Sequence, residues 1–383
     1  MKYYIIAGET SGDLHGANLI KEIKNNDANS IFRFWGGELM QEQSKGLVKH
    51  YKDYSFMGFL EVFTNAIQIF KNIKFCKKDI KNYNPDVIIY IDYPGFNLRI
   101  AKWAKQNNYK NYYYISPKIW IWKENRINSI KRDIDKMFVI LPFEKKFYEK
   151  KHNYQVDYVG NPLLDAIKKQ ANTIKSITFK KKEFVLKNKL KGLPIIAVLP
   201  GSRDQEIKKM LPVMIKAASR FKTHQLVIAG APNKEKKYYQ SILKNNNIIN
   251  TRLKIVINDT YNLLNFSKVA LVTSGTATLE TALFKIPQVV CYKTSPTSYF
   301  IGKILIKNLK YISLVNLILD KSVVTELIQN NCNVTRLEIE IKKILKGKHR
   351  NEMIENYNKL EDKIGKSGAS KRTAKLIKEY LAN

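Results

Sequence analysis

Ile195–Leu199 is a run of five apolar residues that ends at Pro200 and Gly201, and helical spacing begins directly behind it, as far as Met210. A run this short, apolar at every position and bounded by breakers, reads as a strand buried on both faces. A helix following such a strand is half of a βα unit, and repeated βα units build a parallel sheet covered by helices. Ser202-Arg203-Asp204-Gln205 has the S-x-x-Q form of a capping box, so the helix is expected to begin there. A sharp strand-to-helix turn aims unpaired N–H groups at one point, and with the helix dipole they make a seat for an anion. Arg203 adds a planar cationic fork suited to phosphate oxygens. Gly201, Ser202 and Arg203 are therefore candidate phosphate contacts. An ordinary turn with a solvated arginine fits the same residues.

The unit recurs. Lys2–Ala7 reads as a first strand, followed by Gly8-Glu9-Thr10-Ser11-Gly12-Asp13-Leu14-His15-Gly16 and an amphipathic helix, the opening of a doubly wound fold. These glycines do not match G-x-G-x-x-G, which argues against a dinucleotide fingerprint. Ser11 lies in this turn, Gly12 and Gly16 would admit a ligand or another domain at close range, and His15 fits either a donor to a ligand or a structural histidine. Further strands are expected at Ile31–Trp35, Asp86–Ile91, Tyr112–Ile115, Lys136–Leu141 and Val156–Val159, then at Gln225–Ala229, Leu253–Ile257, Val269–Val272 and Pro287–Tyr292. Asp92 stands at the carboxyl end of one of them. Ligands of open α/β sheets bind there, and a carboxylate in that position can take a proton from a hydroxyl. A cap for the helix expected over Leu98–Lys105 is the other reading. Thr273-Ser274-Gly275-Thr276 forms a second hydroxyl-rich turn after a strand, suited to phosphate oxygens. Glu280, one or two turns into the following helix, can accept from two ribose hydroxyls. Asn316 is a candidate base or phosphate contact. Two anion-binding turns with a nearby acid point to a nucleoside diphosphate.

Lysine-rich, weakly apolar sequence over 171–192 marks a domain boundary. The expected division is an N-terminal domain over 1–170, a basic linker over 171–192, a nucleotide domain over 193–348, and C-terminal helices over 349–383 that pack back toward the first domain. Phe59, Phe63, Ile67, Phe70 and Ile73 recur at helical spacing, with Lys71, Lys74, Lys77 and Lys78 beside them. That pattern fits an interfacial membrane helix, and equally a core-facing helix with a solvated back. Trp120 and Trp122 follow a strand and fit an apolar pocket wall or core packing.

The formal net charge is +34, yet only ten of the 67 basic residues are arginine. Nucleic-acid readers concentrate arginine and aromatics in one patch, and none is visible here. A basic RNA-binding protein remains the alternative of another class, and A/T-rich coding the bland one. Three well-separated cysteines, 76, 291 and 332, argue against a disulfide framework or zinc site. No apolar run approaches the roughly 20 residues that span a bilayer, and Tyr3–Ala7 is too short for a signal h-region, so a cytoplasmic location is expected.

The runs AGETSGDLHGA, IDYPGFN, LPFEKKFY, VGNPLLDAI, LPGSRDQEI, SGTATLE and YISLVNL, in this order along nearly the whole chain, closely resemble the lipid-A-disaccharide synthase family. The resemblance implies a GT-B glycosyltransferase, with two Rossmann-like doubly wound domains facing across a cleft and the C-terminal one holding the nucleotide. It implies inverting transfer of diacylglucosamine from UDP-2,3-diacylglucosamine to the 6-hydroxyl of 2,3-diacylglucosamine 1-phosphate, which is a step of lipopolysaccharide synthesis in Gram-negative bacteria. Asp92 would then be the base, Arg203 with the amides near Ser202 and Ser274–Thr276 would hold the diphosphate, and Glu280 the ribose. Ser11, Gly12 and His15 would line the cleft. The Phe59–Ile73 helix would meet acyl chains and the anionic inner-membrane surface, giving peripheral association. A homodimer is compatible with this reading. No metal, cofactor or nucleic acid is expected. Asp133 and Asp135 have D-x-D spacing, but nothing around them reads as a metal turn. Family members commonly carry PDFN where this chain has Pro94-Gly95-Phe96-Asn97, so any role for a second acid there falls away. The enzyme alternatives are a peptidoglycan N-acetylglucosaminyltransferase and a UDP-N-acetylglucosamine 2-epimerase.

Overall fold

The structure is a computed structural model, and it describes residues 1–54, 66–171, 177–295 and 310–382. It divides into two units: Met1–Asp165 with Lys366–Asn383, and Ala166–Gly365.

In the first unit β1 (Lys2–Ala7) pairs in parallel with β2 (Ile31–Gly36) on one side and β4 (Val87–Ile91) on the other. The sheet is completed by β3 (Leu47–His50), β5 (Lys110–Tyr114), β6 (Lys136–Val139) and β7 (Asp157–Tyr158), in the order β3-β2-β1-β4-β5-β6-β7. Alternate residues of β1 enter opposite cores. Tyr4 and Ile6 join Ile88 and Tyr90, while Tyr3, Ile5 and Ala7 join Val87, Ile89 and Ile91. Both faces are dry, which is why these strands read as continuous apolar runs. The helix Ala66–Tyr83 is tied down by a buried polar knot. Asp79 accepts from Tyr4 at 2.7 Å and from Arg33 Nε at 2.8 Å, and Trp35 Nε1 donates to the Tyr4 hydroxyl at 2.8 Å.

The second unit has a six-stranded parallel sheet in the order Leu253–Ile257, Gln225–Gly230, Ile195–Leu199, Ser267–Thr273, Gln288–Tyr292, Thr325–Ile328. Its strands are β8 (Ile195–Leu199), β9 (Gln225–Gly230), β10 (Leu253–Ile257), β11 (Ser267–Thr273), β12 (Gln288–Tyr292) and β13 (Thr325–Ile328). Two doubly wound parallel sheets are the GT-B architecture.

Two expectations about the ends of the domains need correction. The stretch read as a linker carries a helix, Ile177–Lys187, and its Phe184 is buried against Ala197 and Leu264 in the second core. One buried aromatic among lysines suffices to dock it. The C-terminal helices part company. Lys348–Ile364 belongs to the second unit, where Met353 and Tyr357 contact Gln288. Only Ala369–Ala382 covers the first sheet, through Ala374 and Ile377 and a bond from Arg372 Nε to the Val159 carbonyl at 2.8 Å.

Candidate active site

In a doubly wound sheet the connections leave in opposite directions at one place, and the carboxyl ends of the two strands there open a crevice. In the first unit that place lies between β1 and β4. Asp92 follows β4, with φ 45°, and Tyr93 follows with φ 50°. Two successive side-chain-bearing residues in the left-handed region are costly, at about 1 kcal/mol or more each, and local bonds must hold them. Asn97 Nδ2 donates to the Asp92 carbonyl at 2.7 Å, and the Tyr113 hydroxyl donates to the same oxygen. The helix begins at Pro94 with Tyr93 as its N-cap residue, so Asp92 does not cap it. Asp92 as a residue is half-buried. Burial pushes its pKa up to about 6, Lys118 opposes that shift, and Glu9 adds to it. A carboxylate tuned toward neutrality at a strand end can serve as a general base. A Cβ at Gly8 would fall 2.2 Å from the Tyr93 ring, so this turn requires glycine there.

The other residues of the first turn do different work. Ser11 Oγ donates to Glu9 Oε1 at 2.7 Å. Gly12 and Gly16 accommodate neighbours in their own unit rather than a ligand. Added Cβ atoms would lie 3.2 Å from the Ala7 Cβ and 2.5 Å from the Met40 sulfur. His15 Nδ1 is buried without a hydrogen-bond partner, and burial lowers the ring's pKa to about 4. It is a neutral imidazole at physiological pH. Asp13 was not singled out by sequence. It accepts from the backbone N–H of Gly37, Leu39 and Met40 at 2.7–3.0 Å, stapling the first turn to the end of β2.

In the second unit the connections reverse between β8 and β11, and the two turns read as anion seats stand at those strand ends. Gly201 takes φ +99°, and its Cβ would meet the Glu206 carboxylate. The expected capping box is absent. The helix starts at Asp204, with extended Arg203 at the N-cap position and no side-chain cap. Ser202 is left exposed. Arg203 is exposed and makes one long contact, 3.4 Å, to Glu206. The helix Thr276–Leu283 also lacks a side-chain cap, with Gly275 at φ 152° before it. Two helix N-termini without side-chain caps, with the exposed and weakly held Arg203 guanidinium at one of them, can offer N–H groups and positive charge to an anion. Ser274 Oγ donates to the Ile312 carbonyl at 3.0 Å. Among the described residues nothing donates to the Glu280 carboxyl, which burial raises to about 7. A buried carboxyl without a donor can accept hydrogen bonds from hydroxyl groups.

Asn316 departs from expectation as a ligand contact. Its Nδ2 donates to the Val324 carbonyl and to Glu326, both at 2.9 Å, and its Oδ1 accepts from Val323 and Val324 N–H. A primary amide has no more to offer in that plane. Glu326 also accepts from the N–H of Ile312 and Ser313 at 2.9 Å. The pair therefore shapes the loop that reaches Ser274. A lone acid in the short strand Thr325–Ile328 was the available signal for Glu326.

Phe59 and Phe63 lie outside the described residues. On the described helix Ile67 is 73% and Phe70 65% exposed, while Ile73 is buried in the core with Cys76 and Ile80. The helical twist turns Ile73 inward and leaves Ile67, Phe70 and Lys74 outward, so Ile73 is a core residue. Trp120 is structural, donating to Glu144 at 3.1 Å and packing edge-on to Phe143. Asp133 and Asp135 are engaged by Arg132 and Lys105. Among the described residues no helix is long and apolar enough to cross a membrane.

The family model described as lipid-A-disaccharide synthetase matches residues 3–379. A lipid-A-disaccharide synthase of Syntrophus aciditrophicus is 36% identical over 375 residues, covering 97% of this chain and 95% of the relative. One of Francisella philomiragia is 34% identical over 368 residues, covering 94% of each. Among solved structures, the UDP-GlcNAc 2-epimerase of Neisseria meningitidis bound to UDP-GlcNAc superposes with a TM-score of 0.69, covering 100% of both chains at 14% identity. That likeness speaks to fold alone.

Proposed function

The chain belongs to the lipid-A-disaccharide synthase family, glycosyltransferases of lipid A biosynthesis that draw on a UDP-sugar donor, and from that premise we propose how its residues divide the work. The donor is UDP-2,3-diacylglucosamine and the acceptor 2,3-diacylglucosamine 1-phosphate. Asp92 takes the proton from the acceptor 6-hydroxyl. That oxygen forms a bond to the donor's anomeric carbon while the bond to the diphosphate oxygen breaks, with one inversion. UDP leaves carrying the displaced electron pair. Arg203 and the amides at Ser202 and Ser274–Thr276 balance the charge that grows on it. Glu280 accepts from the ribose hydroxyls. Exposed Ile67 and Phe70, with Lys71 and Lys74, rest on an anionic membrane surface and keep the enzyme near its lipid substrates.

The observation that carries this reading is the place of Asp92, half-buried in a left-handed turn directly after β4 at the β1/β4 strand ends. The test is incubation with both lipid substrates, with and without chelator, followed by mass analysis. A disaccharide monophosphate and UDP in equal amounts are expected. Turnover of UDP-N-acetylglucosamine without any acceptor, and no disaccharide, would replace this reading with a 2-epimerase.

A further inference from the structure

Three cations gather without a counter-charge around the loop that follows β5, the strand next to the one that ends at Asp92. Lys123 Nζ lies 4.6 Å and Arg126 Cζ 5.7 Å from the centroid of the Trp122 ring, so one indole gathers both. Arg99, exposed on the helix Pro94–Gln106, is near enough for its charge to bear on both. Among the described residues no carboxylate pairs with any of the three. The acid in the same turn, Glu124, is turned away to Lys151 at 2.6 Å and His152 at 2.9 Å. Lys123 is lowered from its ordinary value by burial, then by Arg126 and Arg99; Arg126 is lowered by burial, with Arg99 adding to the shift and Tyr113 opposing it. Lys123 also holds a left-handed backbone, φ 56°. Arg99 and Lys123 are exposed and Arg126 is half-buried, so the cluster is an electropositive patch open to an anion.

The cluster's place narrows the anion. β4 and β5 are adjacent, Asp92 follows the first, and the Trp122–Arg126 turn follows the second. Tyr113 links the two: its hydroxyl bonds the Asp92 carbonyl, and the charge of Arg126 bears on that same hydroxyl. Glu144 steadies the connecting loop by accepting from Ser116 Oγ at 2.9 Å and Trp120 Nε1 at 3.1 Å. The loop thus brings positive charge near the tyrosine that bonds the Asp92 backbone.

We propose that Arg99, Lys123 and Arg126 bind the phosphate monoester of the acceptor and so set its hydroxyl on Asp92. Two guanidinium forks and one ammonium match the three terminal oxygens of a dianionic phosphate. The inference rests on the reading of Asp92 as the acceptor-side base, and it makes the phosphate a condition of acceptor choice.

The test compares diacylglucosamine 1-phosphate with the same lipid bearing a free 1-hydroxyl, both in detergent micelles. Wild-type protein, Arg99→Ala, Arg126→Lys and the Lys123→Ala/Arg126→Ala pair are assayed. The pair is expected to raise the KM for the phosphorylated acceptor about ten- to hundredfold, the loss of charged hydrogen bonds, with the donor KM unchanged. The preference for phosphorylated over unphosphorylated acceptor collapses with it. Arg99→Ala, at an exposed position, shows a smaller loss in the same sense, and Arg126→Lys keeps part of the preference. Equal losses on both acceptors, or none, would overturn the assignment. So would variants that keep the preference but no longer sediment with phosphatidylglycerol vesicles, since the cluster would then serve lipid headgroups. Failure of the wild-type protein to join the two sugars would instead overturn the functional reading beneath it.

Discussion

Asn97 Nδ2 reaches back five residues to the carbonyl oxygen of Asp92 at 2.7 Å, closing the left-handed turn on which the carboxylate stands. The amide is buried, and its second duty is to the strand ends, at 3.4 Å to the Ile91 carbonyl. Asn97→Ala removes one of two bonds that hold a strained conformation. We expect a tenfold or greater drop in kcat, since about 1–2 kcal/mol of misplacement is enough, with UDP affinity unchanged. Steady-state kinetics beside UDP titration separates the two. An equal effect on both would mean the unit had unfolded.

Asp92 carries a pH signature. With a pKa of about 6 it is ionised at neutral pH, so kcat/KM should fall tenfold per unit below pH 6 and level off above 7. Asp92→Asn should abolish transfer and leave UDP binding intact. The same shift acts on stability in the opposite sense. A folded carboxyl raised above its unfolded value holds its proton more tightly, so stability is lost as pH rises from about 4 to about 6 and stays lost above. Asn avoids that cost, and the variant should be more stable than wild type by about 3 kcal/mol at pH 7.5 and by little at pH 4. Thermal melts at both pH values decide it, with wild-type-like activity removing Asp92 as the base.

Arg203 is 67% exposed on its side chain and bound only weakly by Glu206, so it can turn to a ligand at little cost. Arg203→Ala should weaken UDP binding about tenfold or more, the worth of a charge-assisted contact to phosphate. The protein's melting temperature should stay put, because an exposed pair this long contributes almost nothing to the fold. Calorimetric UDP titration measures the first and a melt the second. Unchanged affinity would exclude Arg203 from the diphosphate seat.

The strand ends that frame both seats were legible because central parallel strands are apolar at every position. Val87–Ile91 and Ile195–Leu199 each run straight into a turn whose residues cannot continue a strand. β3 and β13 were not legible. Each is a four-residue strand at the margin of its sheet, LVKH and TELI, and a strand with one open edge tolerates charge. The roles of Asn97, Asn316 and Glu326 were equally hidden. Asn97 sits in a motif whose spacing marks a helix start, but its partner is a backbone oxygen that only a left-handed turn exposes. Asn316 looks like a ligand contact until Glu326, ten positions on, occupies it. The capping box failed because Ser202 precedes an extended Arg203, leaving first-turn amides open to a ligand. Periodicity placed Ile73 with Phe70, yet only the packing against Cys76 and Ile80 divides that face between core and exterior.

That division makes the membrane reading testable without disturbing the fold. On the helix Ala66–Tyr83 the inward face is Asn72, Ile73, Cys76, Asp79 and Ile80, and the buried Asp79 knot holds it. Ile67 and Phe70, one turn apart, face out with Lys71, Lys74 and Lys78. Inserting two apolar side chains is worth about 1.5–3 kcal/mol each at full burial, and each lysine near an anionic surface adds about 1 kcal/mol. The double variant Ile67→Ser/Phe70→Ser should therefore lose tenfold or more in affinity for vesicles containing phosphatidylglycerol. It should retain its melting temperature and its UDP binding, because neither side chain packs in the core. Raising salt should weaken what binding remains, since lysine attraction is screened while apolar insertion is not. Wild-type sedimentation with vesicles by the double variant would leave these side chains without a membrane role.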